Sequence, residues 1–296
     1  MSLQTAVRAP ISNSRPPLLT IRPRGGVSAV SMREVWQFRD LLLSLAGRDV
    51  RLRYKQTLLG AVWVVLQPLL GAGIFAFVFG KVANLSSGKV PYFIFSYVGL
   101  LGWNAFNTTL SKSSVCLVGN AQLISKIYFP RLVLPLSTIP SALIDFSVAA
   151  AMLVILIPFF HLHLSVGILL MPVWLLMILL LAMGLGLITS ALTVSYRDVQ
   201  YILPVLTQFL LYGSPVAYPV AALLAPNRHI PAWALRIYFL NPLSSLLEAF
   251  RWSILGPDGG VIMWDRVGLA SAICVLTFVF GIWAFKTMER RFADII

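Results

Sequence analysis

Residues 167–194 read GILLMPVWLLMILLLAMGLGLITSALTV, a run without one charged side chain. As a helix it would extend about 42 Å at 1.5 Å per residue, more than the ~30 Å needed to cross the hydrocarbon of a bilayer. A helix apolar on every face is surrounded by lipid or by protein, never by water. The rest of the chain agrees. Hydrophobic residues make up 58% of it and charged residues 11%, against about 25% charged in a soluble domain. So much apolar surface has no place inside a soluble fold of this size, and the solvent is therefore lipid.

Five further apolar runs flank the first, at 58–79, 92–110, 132–158, 199–218 and 267–285. The predicted fold class is an all-α integral membrane protein with six transmembrane helices. The net charge of +13 raises the question of nucleic acid, but the basic residues gather at the ends of the apolar runs. Flanking charge of that kind orients a chain in a membrane and meets anionic headgroups, so lipids and not nucleic acid are the expected partner. With both termini inside, seventeen Lys and Arg fall on the cytoplasmic side and six outside. That bias predicts cytoplasmic termini.

Residues 1–30 hold Pro10, Pro16, Pro17 and Pro23 among Ser, Gly and Arg. They are predicted to form a disordered basic cytoplasmic tail and, lacking an apolar core of about 7–15 residues, no signal peptide. Ser31-Met32-Arg33-Glu34 fits a capping box. After it Val35, Phe38, Leu42, Leu45 and Leu52 recur at helical spacing among Arg39, Asp40, Arg48, Asp49, Arg51 and Lys55. Such frequent charge predicts an amphipathic helix over 31–56, lying in the interface plane. The transmembrane domain then occupies 57–296. Within it, 219–266 is neither a loop nor a clean span. Two short apolar pieces broken at Asn241-Pro242 predict re-entrant outer helices, with a surface hairpin as the competing form.

Little in the chain could do chemistry. There is no G-x-x-x-x-G-K-[ST]; the nearest fragment, Ser87-Gly88-Lys89-Val90, lacks the upstream glycine and the hydroxyl, so no phosphate cradle is expected. His161, His163 and His229 have no partner at metal-ligand spacing, and Cys116 and Cys274 read as apolar fillers. No catalytic residue, cofactor or metal is therefore predicted. Asp145 is the one carboxylate within a span, fitting either a transport role or a hydrogen bond inside the bundle. Asn104 and Asn107, with the aromatic rings of Tyr92, Tyr97, Trp103, Phe106, Phe209 and Tyr212, suit a sugar, whose hydroxyls need donors and whose C–H faces stack on rings. The same residues also fit aromatic belts and helix contacts.

Several motifs, in order and spacing, resemble one family. They are 123–135 (LISKIYFPRLVLP), Ser195-Tyr196-Arg197-Asp198-Val199, Ser214-Pro215-Val216, Asn241-Pro242 and 289–294 (ERRFAD). From Arg33 onward the chain is similar to the membrane subunits of ABC-2 type polysaccharide exporters, the Wzm-like O-antigen, capsule and teichoic-acid permeases. The resemblance implies a homodimer in the bacterial inner membrane, driven by two copies of a P-loop ATPase that hold the ATP and Mg. It makes 120–131 the ATPase-coupling segment, with Leu123, Lys126, Tyr128, Phe129, Pro130 and Arg131 as its contacts. The implied cargo is a glycan on a lipid pyrophosphate. Arg48, Arg51, Arg53 and Lys55 stand where such an anion would enter, and where inside anchors are also needed. An outer gate would comprise Arg236, Tyr238, Asn241, Pro242, Glu248 and Arg251. Competing functions are export of a small lipophilic compound, gradient-driven transport resting on Asp145, and a membrane-embedded transferase, which would require clustered acids that the chain does not have.

Overall fold

The computed structural model describes residues 32–55, 60–162, 165–224, 230–289 and 292. The expected tail over 1–30 and the Ser31 cap lie outside the described residues, as does His163. All regular structure among the described residues is helical. The amphipathic segment arrives in two pieces, α1 (Met32–Gln37) and α2 (Arg39–Lys55). The bundle follows with α3 (Gly60–Phe75), which continues as a π-helical turn over Ala76–Val82, and α4 (Tyr92–Gly119). Next come the short α5 (Ala121–Lys126) and α6 (Val133–Leu136), then α7 (Thr138–Phe159). A 3₁₀ turn over Val166–Leu170 leads into α8 (Met171–Ser195). The C-terminal part holds α9 (Val199–Tyr212), α10 (Val220–Leu223), α11 (Ala232–Leu240), α12 (Pro242–Leu255) and α13 (Trp264–Glu289).

Among the described residues four stretches are long and apolar enough to cross a membrane: Val62–Val82, Val133–Phe159, Val166–Ser195 and Trp264–Glu289. Two of the six expected spans differ from these, for opposite reasons. α4 has ample length but carries Asn104, Asn107, Ser111, Lys112, Ser113 and Ser114. It can do so because α3, α7, α8 and α12 all pack against it, so protein and not lipid surrounds most of its face. Two of its buried hydroxyls bond within the helix, Thr109 donating to Ala105 O at 2.8 Å and Ser114 to Ser111 O at 2.8 Å, the local back-bonding open to Ser and Thr; Ser113 reaches Met183 Sδ of α8 at 3.7 Å. α9, in contrast, is apolar but has 14 residues, about 21 Å of helix. The chain then leaves helical geometry at Gly213, short of the expected end at 218.

Close helix contact is bought with small residues, as expected where lipid offers no competing hydrophobic force. At the α8–α13 crossing a Cβ on Gly184 would stand 2.8 Å from the Phe278 Cα, and one on Gly281 would intrude on the Gly184 carbonyl. Two apolar cores result. The larger lies around α4, α7, α8 and α12. The smaller gathers Leu45, Leu117, Phe129, Leu132, Leu187, Phe285 and Phe292 where α2, the turn after α5 and the end of α13 converge.

Candidate functional site

Two polar assemblies meet α4 toward its opposite ends, the first along Tyr92, Phe95 and Gly99 and the second along Lys112 and Asn120, with about 20 Å of helix between them. The first forms where the chain leaves α9. Residues 213–218 are not helical, yet Ser214, Val216 and Ala217 are buried. Backbone of this kind needs protein donors for its carbonyls, and α12 and α4 supply them. Arg251 is fully buried. Its Nη2 donates to the Pro215 carbonyl and, at 3.3 Å, to that of Val216. Its Nη1 donates to Glu248 Oε2 at 2.9 Å, one turn back on α12. The guanidinium lies 3.8 Å from the centre of the Phe95 ring of α4, a cation–π contact. Glu248 Oε1 accepts from the Val261 N–H at 3.3 Å, joining the approach to α13. Tyr92, at the start of α4, donates to the Ala217 carbonyl at 2.6 Å. Gly99 makes room for all this: a Cβ there would stand 2.7 Å from both Arg251 Nη2 and the Val216 oxygen.

Asn241 ties the α11–α12 junction to the same segment. Its Oδ1 accepts from the Leu243 N–H at 3.1 Å while Pro242 occupies the first helical position, an N-cap followed by proline. Its Nδ2 donates to Ser214 Oγ at 3.0 Å. Of the six residues expected here, Asn241, Pro242, Glu248 and Arg251 join one structure. Arg236 is exposed on α11, and Tyr238 packs edge-on against Phe239. The sequence reading missed Arg266, whose guanidinium lies 4.3 Å from the Phe239 ring centre. The Pro215 and Val216 carbonyls were missed too, since backbone acceptors leave no trace in residue type.

The second assembly forms where α2 crosses the far ends of α4 and α7. Asp145 of α7 accepts from Arg53 of α2 and from Lys112 Nζ of α4 at 3.0 Å. Lys112 also donates to Ser141 Oγ at 2.7 Å. Asp145 therefore knits three helices together through ion pairs. Arg48 reaches Asn120 Oδ1 at 2.7 Å, at the junction of α4 and α5. Of the four cations expected to meet an anion, Arg48 and Arg53 line a cavity between α2 and α4, while Arg51 and Lys55 are exposed on α2.

The adjoining segment 120–131 divides its residues between core and surface. Phe129 is buried, Leu123 and Ile124 pack partly into the smaller core, and Tyr128 is 87% exposed. Lys126 and Ile127 are exposed beside it. Arg131 turns inward: its Nη1 donates to the Glu289 carbonyl at 2.7 Å, and its guanidinium lies 5.7 Å from the Phe292 ring centre. A short knob thus projects from a base fixed at Asn120 and Arg131.

The aromatic and amide residues expected to face a sugar do not share one surface. Tyr97, Trp103 and Phe106 are inside the bundle core, with Tyr97 donating to the Ala149 carbonyl at 2.8 Å. Tyr92, Asn104 and Asn107 are half-buried, and Phe209 and Tyr212 are exposed on α9. The physical reason is that α4, being central, uses its rings for packing. Among the described residues no cluster of His, Cys, Asp and Glu could hold a metal.

Comparison with known proteins adds an independent line. A family model described as ABC-2 type transporter matches residues 40–255. An O-antigen export system permease protein, RfbA, of Myxococcus xanthus is 28% identical over 90% of this chain and 98% of its own length. A protein of the same name from Klebsiella pneumoniae is 27% identical over 87% of this chain and 95% of its own. The polysialic acid transport protein KpsM of Escherichia coli is 23% identical, covering 82% of this chain and 91% of its own.

Proposed function

This chain belongs to the ABC-2 type transporter family, and from that premise we propose that it is the membrane subunit of an exporter that moves a lipid-linked polysaccharide across the bacterial inner membrane. The observation that carries the proposal is the end-to-end match to export permeases for O-antigen and polysialic acid, over most of this chain and nearly all of theirs. In this reading the chain crosses six times with both termini cytoplasmic. α4 is a protein-shielded span, and α9 with the buried segment 213–218 completes another. Two copies assemble, because one bundle whose central helix is packed on most faces has no room for a polymer.

The chain itself is not an enzyme in this proposal; ATP and Mg belong to a separate P-loop ATPase, two copies of which dock on segment 120–131. Tyr128, Lys126 and Ile127 form the exposed contact. Phe129 and Pro130 seat the knob, and Leu123 anchors it to the smaller core. A push on the knob reaches α4 through Asn120, α2 through the Arg48 bond and α13 through Arg131. At the other end α11 and α12 form the outer gate, pinned to segment 213–218 by Asn241 and Arg251. Arg48 and Arg53, which line the cavity between α2 and α4, receive the lipid pyrophosphate at the inner surface, and Phe209 and Tyr212 supply exposed aromatic wall for the glycan.

Deleting the gene from its host tests the function. Surface glycan should fall while lipid-linked polymer accumulates inside, with recovery on complementation. Unchanged surface glycan without internal accumulation would refute it.

A further inference from the structure

Where α2 passes over the ends of α4 and α6, packing leaves a cavity of about 340 Å³. That lies near the small end of the range for ligand pockets, about 300–1,000 Å³. Its lining is chemically divided. Arg48, Arg53 and Lys112 present three cations against the one carboxylate of Asp49, with the Asn120 amide beside them, whereas Leu45, Val115 and Leu134 present apolar surface. Arg48 is held in place by its bond to Asn120 at 2.7 Å and by Asp49 at 3.3 Å, both through Nη2. The rest of its guanidinium fork remains to meet an anion. Lys112 is oriented by Ser141 and Asp145, which take two of its N–H groups and leave a third. Arg51 and Lys55, on the same helix, do not line the cavity.

A pocket that is cationic at one set of groups and apolar at another matches an amphiphile with an anionic head better than a soluble anion. Its location agrees. Trp36 on α1 and Leu43 and Leu52 on α2 are exposed apolar side chains, as expected of helices resting at the headgroup boundary. We propose that this cavity is a binding site for the phosphate headgroup of an anionic lipid, held by Arg48 and Lys112. The lipid wedges between α2 and α4 beside Asn120, and so stiffens the link between the surface helix and the knob. The phosphate belongs either to a bilayer phospholipid or to a polyprenyl pyrophosphate carrier; the recognising chemistry is shared.

The test uses the full chain purified in uncharged detergent, with lipid binding followed by native mass spectrometry. Phosphatidylglycerol should bind in preference to phosphatidylcholine. The Arg48→Gln/Lys112→Gln variant should weaken it about tenfold or more, the loss expected of a charge-assisted hydrogen bond. The charge-matched Arg51→Gln/Lys55→Gln variant should bind as the parent does, and Arg48→Gln alone serves if the first pair does not fold. Displacement of phosphatidylglycerol by polyprenyl pyrophosphate assigns the site to the carrier; persistence of phosphatidylglycerol assigns it to the bilayer. Equal loss in both double variants, or displacement by inorganic phosphate at matching concentration, overturns the inference. Only the carrier arm rests on the export reading. Because binding is measured without cargo, its failure leaves that reading standing, and loss of export with binding intact would count against export alone.

Discussion

Substituting Arg251 by Met removes the single donor group that serves the Pro215 and Val216 carbonyls and strands Glu248 in a site where it is 3% exposed. Breaking a buried ion pair from one side costs about 3–5 kcal/mol, because the abandoned charge loses its counter-ion; Glu248 would be left with the Val261 N–H. Glu248→Met strands the guanidinium and should cost a similar amount. The double variant strands neither charge. It loses the neutral-partner contacts alone, namely the donors to the two carbonyls, the acceptor of the Val261 N–H and the cation on the Phe95 ring, each of the unpaired backbone groups costing roughly 1–3 kcal/mol at most. A double-mutant cycle should therefore show a coupling of about 2 kcal/mol or more, with the double variant more stable than either single one. The assay is unfolding of the detergent-solubilised chain by sodium dodecyl sulfate, followed by tryptophan fluorescence. In vesicles Arg251→Met should also pass small solutes, since segment 213–218 then loses its bonds to the guanidinium of α12. Single variants within about 1 kcal/mol of the parent, or losses that simply add, would refute the claim that this pair holds the irregular segment.

Other consequences follow from the same geometry. Gly281→Leu should abolish accumulation of folded protein, since even a Cβ would intrude on the Gly184 carbonyl; membrane abundance and a gel-filtration profile check it. Phe129→Ala should destabilise by about 3–5 kcal/mol as a buried ring is lost, whereas Tyr128→Ala should leave stability within about 0.5 kcal/mol and lower ATPase co-purification and export. Asn241→Ala should cost about 1–2 kcal/mol through loss of the α12 cap and of the bond to Ser214, read as a shifted unfolding midpoint.

Much of the helical framework was legible because lipid imposes one simple demand, apolar length. The run 167–194 met it, and α8 with its 3₁₀ lead-in covers 166–195. The same rule faltered where protein replaces lipid. α4 runs on through Ser111, Lys112, Ser113 and Ser114 to Gly119, nine residues past the expected end at 110, since neighbours and not hydrocarbon solvate that stretch. α9 stops at Tyr212 although apolar residues continue, because buried side chains supply the bonds that a helix would otherwise have to make.

The sites were legible in parts. Asn241-Pro242 announced a helix start, and Glu248 and Arg251, three apart, could be expected to meet on one face. Their attachment to 213–218, more than thirty residues away, had no local signature. Asp145 stood out as ionisable, but Arg53 and Lys112 lie 92 and 33 residues from it, so its partners were set by packing. Rings such as Tyr97, Trp103 and Phe106 look alike in sequence whether they face a channel or a core. Only their position on the central helix decides.

Reconstitution offers the most direct test of the central claim, that this chain is a conduit worked by a separate nucleotide-hydrolysing partner. Purified chain in liposomes, with and without a candidate P-loop ATPase partner, would be assayed for ATP hydrolysis and for movement of lipid-linked glycan. The account predicts neither activity from the chain alone and ATP-dependent movement once the partner is added. ATP hydrolysis or driven glycan movement by the chain unaided would contradict it.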